Sequence, residues 1–276
     1  MLDDVGHNRC MKNRTTDSNS LTTGLILAVA IVLMGNTMPS QLINEFADQH
    51  PAAAPSEPPE IQPIEPAILS RGTDDQPMVA LTFDACSTWA ASDYDDSVIE
   101  ILKEQQAPAT LFLGGLWMLR HPEETRTLHE SPLFEIANHA HSHPDMTKLE
   151  KDEIDRELTF TQLAALHLTG EQPGYFRPPY VRKNDKLVER AARYGMLTVQ
   201  YDLASGDADE NLSPEAIADN VLDNIRPGSI VVLHMNNPDL PTAEALPLIL
   251  EGLRELELEP ATVSQLLEAG ASPERL

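Results

Sequence analysis

Short apolar segments alternate with longer amphipathic ones from residue 78 to the C-terminus. Apolar runs of about 4–8 residues are typical of buried strands, and apolar positions three and four apart are typical of helices. The predicted strands are MVALTFDA (78–85), ATLFLGG (109–115), FEIANH (134–139), GYFRPPY (174–180), LTVQYDLAS (197–205) and SIVVLHMN (229–236). The predicted helices are SDYDDSVIEILKEQ (92–105), KLEKDEIDRELTFTQLAALHLTG (148–170), DKLVERAARYG (185–195), SPEAIADNVLDNI (213–225) and TAEALPLILEGLREL (242–256), and EPATVSQLLEAG (259–270) closes the chain with a short strand and helix. This alternation predicts an α/β fold with a parallel sheet covered by helices, either doubly wound or a barrel.

The N-terminal part of the chain has a different pattern. Residues 21–35 form a continuous apolar run, and three basic residues precede it: Arg9, Lys12 and Arg14. This charge order is typical of a secretory signal or a signal anchor. We therefore predict an n-region or cytoplasmic segment over 1–20, a signal peptide or anchor over 21–38, a Pro-rich linker over 39–70 and one globular domain over 71–276. The domain would be exported to the periplasm or the cell exterior, either secreted or anchored to the membrane through residues 21–35.

Composition narrows the range of partners. The net charge of −25 argues against binding to nucleic acid, because it would repel phosphate. The two cysteines, Cys10 and Cys86, lie on opposite sides of the apolar run, so we expect no disulfide.

Polar side chains follow several predicted strands at the point where each strand ends. In α/β barrels the loops at the carboxyl ends of the strands converge on one cavity, where the chemistry takes place. The sequence therefore predicts a site formed by Asp84, His139, Arg177, Tyr180, Asp202 and His234.

The stretch NHAHSHP places three histidines at alternate positions. In an extended strand His139 and His143 would lie roughly 13 Å apart, whereas two ligands of one zinc ion lie within about 4 Å of each other. Pro144 disfavours helical torsions at His143, so this segment is predicted to be a loop. A single turn could bring His139 and His143 together and would leave His141 pointing elsewhere. A hydrogen-bonded loop without metal is the alternative.

Five motifs in order, T-F-D, H-x-x-x-H-P, R-P-P-Y, D-x-x-x-x-D and L-H, resemble the polysaccharide deacetylases, which are the NodB-homology or carbohydrate esterase family four domains. The resemblance covers nearly all of residues 75–270. It implies a distorted (β/α) barrel that removes acetyl groups, mostly from N-acetylated sugars, with one divalent metal, usually zinc.

The resemblance also implies roles for individual residues. His139 and His143 match the two metal-binding histidines, Asp84 the general base and Arg177 the arginine that pairs with it. The backbone amide of Tyr180 matches an oxyanion donor, and His234 matches the general acid. Asp202 or Asp207 falls in the motif that orients this acid, and we take Asp207 as the site residue.

The chain departs from the family pattern at the third metal ligand. The second aspartate of T-F-D-D is Ala85 here, and a methyl group cannot bind zinc. The third ligand could instead be one of the loop carboxylates Asp93, Asp95 and Asp96, or Asp84 itself, or the Cys86 thiolate. Alternatively, the protein could bind metal poorly. Asp95 has an alternative role as the cap of the next helix. Val181 and Ala208 also differ from the family residues that face the sugar.

These observations predict an exported, metal-dependent hydrolase that deacetylates an N-acetylated or O-acetylated glycan. Ala85 motivates an alternative, a glycan-binding module of the same fold that has lost turnover. A second alternative is a hydrolase of carbon–nitrogen bonds outside sugars.

Overall fold

The computed structural model describes residues 37–57, 59–87 and 92–276. The predicted N-terminal segment 1–20 and the apolar run 21–35 lie outside these residues. Within the described ranges, no helix has the length and apolar character needed to cross a membrane.

Strands and helices alternate along the chain, as the sequence predicts. The strands are β1 (Ala67–Leu69), β2 (Met78–Ala85), β3 (Ala109–Leu113), β4 (Phe134–Asn138), β5 (Tyr175–Phe176), β6 (Leu197–Val199), β7 (Leu203–Ala204), β8 (Ile230–His234), β9 (Glu259–Ala261) and β10 (Glu274–Arg275). The helices are α1 (Ser40–Gln49), α2 (Asp96–Glu104), α3 (Gly115–Arg120), α4 (Pro122–Glu130), α5 (Lys151–Thr169), α6 (Asp185–Arg193), α7 (Pro214–Asn224), α8 (Thr242–Glu255) and α9 (Val263–Glu268). Their ends follow local signals: Ser213 caps α7 through its side chain, and Gly170 ends α5 in the left-handed conformation that glycine tolerates.

The strands form one curled sheet in the order β10-β1-β6-β5-β4-β3-β2-β8-β7, and β9 pairs with the first residues of β2. All pairs are parallel except β1 with β10. Because parallel strands need crossover connections, the intervening helices cover the outer face. The predicted α/β class is therefore confirmed.

Side chains of β2 alternate between two environments. Val79, Leu81, Phe83 and Ala85 belong to the large cluster between the sheet and the helices. Ala80 belongs to the second cluster, on the inner face of the sheet. Asp84 lies four residues further along the strand, so its side chain points to the same face. In β8 the same alternation puts His234 on the inner face, because successive strand side chains point to opposite faces. Asp84 and His234 are also register partners at the carboxyl ends of β2 and β8.

The prediction of an extended linker over residues 39–70 is wrong. Helix α1 buries Leu42, Ile43 and Phe46, and the Phe46 ring packs edge-on against Phe160 of α5 at 5.2 Å. The guanidinium of Arg156 donates to Glu45 at 2.6 Å, and β1 joins the sheet beside β6. The many prolines concealed a short amphipathic helix, and the compact unit therefore begins before residue 71.

The single strand predicted over 197–205 is also wrong, because the structure has two strands there. β6 lies between β1 and β5, whereas β7 lies at the opposite edge of the sheet beside β8. Residues 200–202 therefore cross the open side of the barrel. This crossing places Asp202 at the first residues of β8, where it accepts hydrogen bonds from the amide of Ile230 (2.7 Å) and from Ser229 Oγ (3.2 Å). Asp202 thus lies at the opposite end of β8 from His234, and its predicted place at the site is wrong.

Candidate active site

Asp84 and Arg177 form a buried ion pair on the inner face of the sheet. Arg177 Nη1 donates to Asp84 Oδ1 at 2.7 Å and to Thr82 Oγ1 at 2.9 Å, and the guanidinium lies 4.0 Å from the centre of the Phe112 ring. Arg177 is 0 % exposed. Burial disfavours the Asp84 carboxylate, but Arg177 and the nearby histidines more than offset this, so the pKa of Asp84 is lowered. A carboxylate in this state can accept a proton near neutral pH.

The loop after β4 curls sharply, as a shared site for His139 and His143 requires. Ala140 and His143 both have φ of 62°, in the left-handed region. Asn138 stabilises the first turn, since its side-chain carbonyl accepts from the Ala140 amide at 2.9 Å. The two imidazole rings come to a centroid separation of 5.0 Å.

Glu157 of α5 holds the middle of this loop. Its carboxylate accepts hydrogen bonds from the amides of His141 and Ser142, both at 2.8 Å, and from Ser142 Oγ at 2.6 Å. Sequence reasoning missed Glu157 and Asn138, because a helix-surface glutamate and a strand-end asparagine carry no motif of their own.

His141 points away from the pair, as predicted. Its ring packs against Phe160 and His50, and a Cβ on Gly115 would lie 2.4 Å from its Nδ1. Burial, followed by the nearby charges of His50 and Arg120, lowers the pKa of His141 to about 3. His141 is therefore neutral, and its side chain packs against the helices rather than beside His139 and His143.

A third donor lies beside the histidine pair. Sγ of Cys86 is 3.8 Å from His139 Nε2, and one ligand atom each from Cys86, His139 and His143 lie within 4.8 Å of one another. This is the single group of three or more metal-ligating side chains found in the described ranges. Burial would raise the pKa of the Cys86 thiol, but hydrogen bonding to His139, His143 and His234 brings it well below its usual range.

His139 is held with one ring nitrogen facing this group. Its Nδ1 donates to the carbonyl of Arg177 at 2.9 Å, which leaves Nε2 toward Cys86 and Asp84. Burial would lower the pKa of His139, but Asp84 and Cys86 raise it overall. A histidine oriented by a carbonyl in this way is the usual arrangement of a metal ligand.

His234 is held by Asp207 at the end of β8. Its Nδ1 lies 2.9 Å from Asp207 Oδ1, and its amide donates to Asp207 Oδ2 at 2.6 Å. Ser205 and Thr242 donate to the same carboxylate at 2.9 and 2.8 Å. Burial alone would lower the pKa of His234, but the hydrogen bonds to Asp207 and Cys86 raise it well above its usual value. His234 is therefore suited to donate a proton, and sequence reasoning missed its two supporting hydroxyls.

Tyr180 lies at the entrance of the site. Its backbone is left-handed (φ 57°, ψ 12°), its side chain is 59 % exposed, and its ring centroid is 4.7 Å from that of His143. The two prolines before it, Pro178 and Pro179, restrict the backbone that carries its amide.

The loop aspartates are held elsewhere. Asp95 caps α2, because its Oδ1 accepts from the Ser97 amide at 3.1 Å. The backbone amide of Asp93 donates to the backbone carbonyl of Asn236. Asp96 is an exposed residue of the first turn of α2. The capping role of Asp95 is therefore confirmed.

A cavity of about 730 Å³ lies away from this site. Its lining includes Phe134, Gly174 and Gly195, which stand at or just before the first residues of β4, β5 and β6. It therefore belongs to the opposite end of the sheet from Asp84 and His234.

The curled sheet, with polar side chains at the carboxyl ends of its strands, is similar to the barrel of known polysaccharide deacetylases. Residues 71–199 match the family model described as polysaccharide deacetylase. This stretch of the chain is similar to that family, and the predicted distorted barrel is confirmed.

Three similar proteins illustrate the relationship. The chain is 29 % identical over 156 residues to a peptidoglycan-N-acetylglucosamine deacetylase of Bacillus cereus, covering 56 % of this chain and 55 % of that protein. It is similar to the crystal structure of the Bc1960 peptidoglycan N-acetylglucosamine deacetylase, with a TM-score of 0.68, 26 % identity, and coverage of 76 % of this chain and 95 % of that chain. It is also similar to a family-four pseudoenzyme from Bacillus anthracis, with a TM-score of 0.67, 28 % identity, and coverage of 74 % of this chain and 70 % of that chain. The chain spans 63 %, 32 % and 66 % of the length of three other curated relatives.

Proposed function

We propose that this protein is an exported, metal-dependent hydrolase that removes acetyl groups from an N-acetylated or O-acetylated glycan. One observation carries the proposal. Two side chains lie opposite each other at the carboxyl ends of the paired strands β2 and β8: Asp84, which Arg177 holds, and His234, which Asp207 holds. A group of metal-ligating side chains lies beside them. A base and an acid flanking a Lewis-acid site are what hydrolysis of an unreactive amide or ester requires.

The residues present fit a divalent metal. His139 and His143 would hold it, because the contact of His139 Nδ1 with the Arg177 carbonyl leaves Nε2 free and one ligand atom from each histidine lies within 4.8 Å of the other. Nδ1 of His143 is buried without a hydrogen-bond partner in the described part of the chain. When bound, the metal would polarise the acetyl carbonyl and lower the pKa of a water molecule.

Asp84 would act as the general base. Its Oδ1 is fixed by Arg177, and its Oδ2 lies 3.7 Å from His139 Nε2, so the second oxygen faces the place where water would attack. The lowered pKa keeps the carboxylate ionised before it accepts the proton.

His234 would act as the general acid toward the departing amine or alcohol. Its Nδ1 is bonded to Asp207, so Nε2 is the nitrogen that would deliver the proton. The Tyr180 amide would donate to the oxyanion of the tetrahedral intermediate, a role that suits an amide on a stiff, exposed turn.

Acetate release tests the proposal. The full chain, loaded with zinc, should release acetate from N-acetylglucosamine oligomers, peptidoglycan or acetylated xylan. His143→Ala should abolish this release, whereas His167→Ala, at an exposed position on α5, should leave it unchanged. Absence of acetate from all three substrates while metal is bound would exclude the proposed activity.

A second candidate is a glycan-binding protein without turnover. Ala85 favours it, because the carboxylate ligand of the family is missing, and so does the likeness to the Bacillus anthracis pseudoenzyme. This candidate predicts saturable binding of sugar oligomers with no acetate released and with little metal in the purified protein.

A further inference from the structure

We propose that the Cys86 thiolate is the third protein ligand of the metal, in place of the carboxylate that Ala85 lacks. The inference rests on the metal dependence of the proposed function. It assigns a Cys-His-His donor set to a site for which the family pattern implies Asp-His-His, with a preference for soft ions as the consequence.

The register of β2 decides which residue can reach the site. Ala85 pairs with Leu113 of β3 and belongs to the core between the sheet and the helices, so its side chain points away from the histidines. Asp84 and Cys86 share the opposite parity, and both approach His139. The third donor is therefore displaced by one residue along the chain.

The distances suit a tetrahedral ion with little rearrangement. With zinc–sulfur and zinc–nitrogen bonds of about 2.3 and 2.1 Å, sulfur and nitrogen ligands lie roughly 3.6 Å apart. The distance from Cys86 Sγ to His139 Nε2 is 3.8 Å, and the whole group lies within 4.8 Å. Three protein ligands would leave the fourth position open for water, as in catalytic zinc sites.

The competing carboxylates have other partners. Asp84 is engaged by Arg177, and no carboxylate belongs to the ligand group found among the described residues. Asp95 caps α2, and Asp96 is exposed in the first turn of that helix. Asp84 Oδ2 also lies 3.7 Å from His139, but Cys86 is the donor whose ligand atom lies within 4.8 Å of both histidines.

A thiolate changes which metal the site prefers. It carries the same single negative charge as a carboxylate, but it is a softer ligand that favours zinc over magnesium, calcium or manganese. We therefore expect zinc and cobalt to bind and magnesium and calcium to compete poorly.

Cobalt(II) spectroscopy of the full chain tests the ligand directly. Cobalt bound to a thiolate gives a sulfur-to-metal charge-transfer band in the near ultraviolet, which a carboxylate and two histidines do not give. We expect this band in the wild type and in Cys10→Ser, the matched control, but not in Cys86→Ser. The zinc affinity of Cys86→Ser should fall by more than roughly 10- to 100-fold, the loss expected from disrupting only the outer partners of a ligand.

Cys86→Asp supplies a second test. It returns a carboxylate to the position that faces the site, so it should lose the cobalt band yet bind zinc more tightly than Cys86→Ser does.

The outcomes separate the ligand assignment from the proposed activity. A cobalt band or a zinc affinity that is unchanged in Cys86→Ser would overturn the ligand assignment while leaving the proposed activity intact. Conversely, a cobalt charge-transfer band in the wild type without any release of acetate would refute the proposed activity but not the ligand assignment. Hydrolysis that survives removal of metal but fails in Cys86→Ser would show that Cys86 is a nucleophile paired with His234.

Discussion

An aspartate at position 85 should not restore the family site, although it would restore the family sequence. Ala85 is 0 % exposed and lies with Leu81 and Phe83 on the helix-facing side of β2. The Ala85 carbonyl accepts from the Gly114 amide at 3.1 Å, which holds the strand in this register. Ala85→Asp would therefore place a carboxyl group in the hydrophobic core rather than beside the histidines.

The expected loss of stability follows from this burial. A carboxyl group in such a place is protonated rather than charged, and holding it protonated at pH 7 costs about 1.4 kcal/mol for each of roughly three pH units above its ordinary pKa, or about 4 kcal/mol. Burying the neutral acid without partners adds about 1–3 kcal/mol. We expect a total of about 5–7 kcal/mol at pH 7, which is comparable with the whole stability of many domains.

Urea denaturation at pH 4 and pH 7 measures this loss, with Ala85→Val as a control of similar volume. The folded state of Ala85→Asp keeps its proton while the unfolded state releases it, so the stability of the variant falls as pH rises from 4 to 7. Ala85→Val should cost about 1–3 kcal/mol through overpacking, without this pH dependence. If Ala85→Asp were as stable as Ala85→Val at pH 7, or bound zinc more tightly than the wild type, the assigned register of β2 would be wrong.

Three further predictions concern other parts of the structure. Asp207→Asn removes a hydrogen bond that raises the pKa of His234. Acid catalysis is present below this pKa and is lost as pH rises through it, so the alkaline limb of the kcat/KM profile should move to lower pH; an unmoved limb would contradict His234 as the acid. Glu157→Ala frees the histidine loop and should weaken zinc binding roughly 10- to 100-fold by competition titration, whereas equal affinity would show that the loop holds itself. Phe46→Ala should cost about 3–5 kcal/mol in urea denaturation, and a loss below 1 kcal/mol would show that α1 does not stabilise the domain.

The strand and helix order of the domain could be predicted because its periodicity is strong. Strand β2, for example, coincides with the predicted 78–85, and helix α5 ends at Gly170 as predicted. The pairing of Asp84 with Arg177 was likewise expected from the family resemblance. These features depend on local patterns or on motifs that the chain contains intact.

Other features depend on tertiary structure that no local pattern encodes. The proline-rich segment before β1 predicts an extended chain, but Phe46 packs against Phe160, which lies far along the sequence in α5. The apolar run at 197–205 predicts one strand, yet the chain leaves β6 and crosses the barrel before β7. The predicted position of Asp202 is wrong for that reason, because it depends on where the crossing begins.

The replacement of the third ligand shows most clearly why a motif must be judged by the face of the strand on which each residue lies. By the family motif alone, position 85 lacks a metal ligand, and the protein would be taken for one without turnover. By geometry, β2 remains hydrogen-bonded through Ala85, so no side chain at that position can reach the histidines unless the strand end opens. A donor at position 86 needs no such opening, because it shares the parity of Asp84 and already lies 3.8 Å from His139. A strand paired through position 85 therefore makes alanine there compatible with a complete metal site, provided that position 86 carries a ligand.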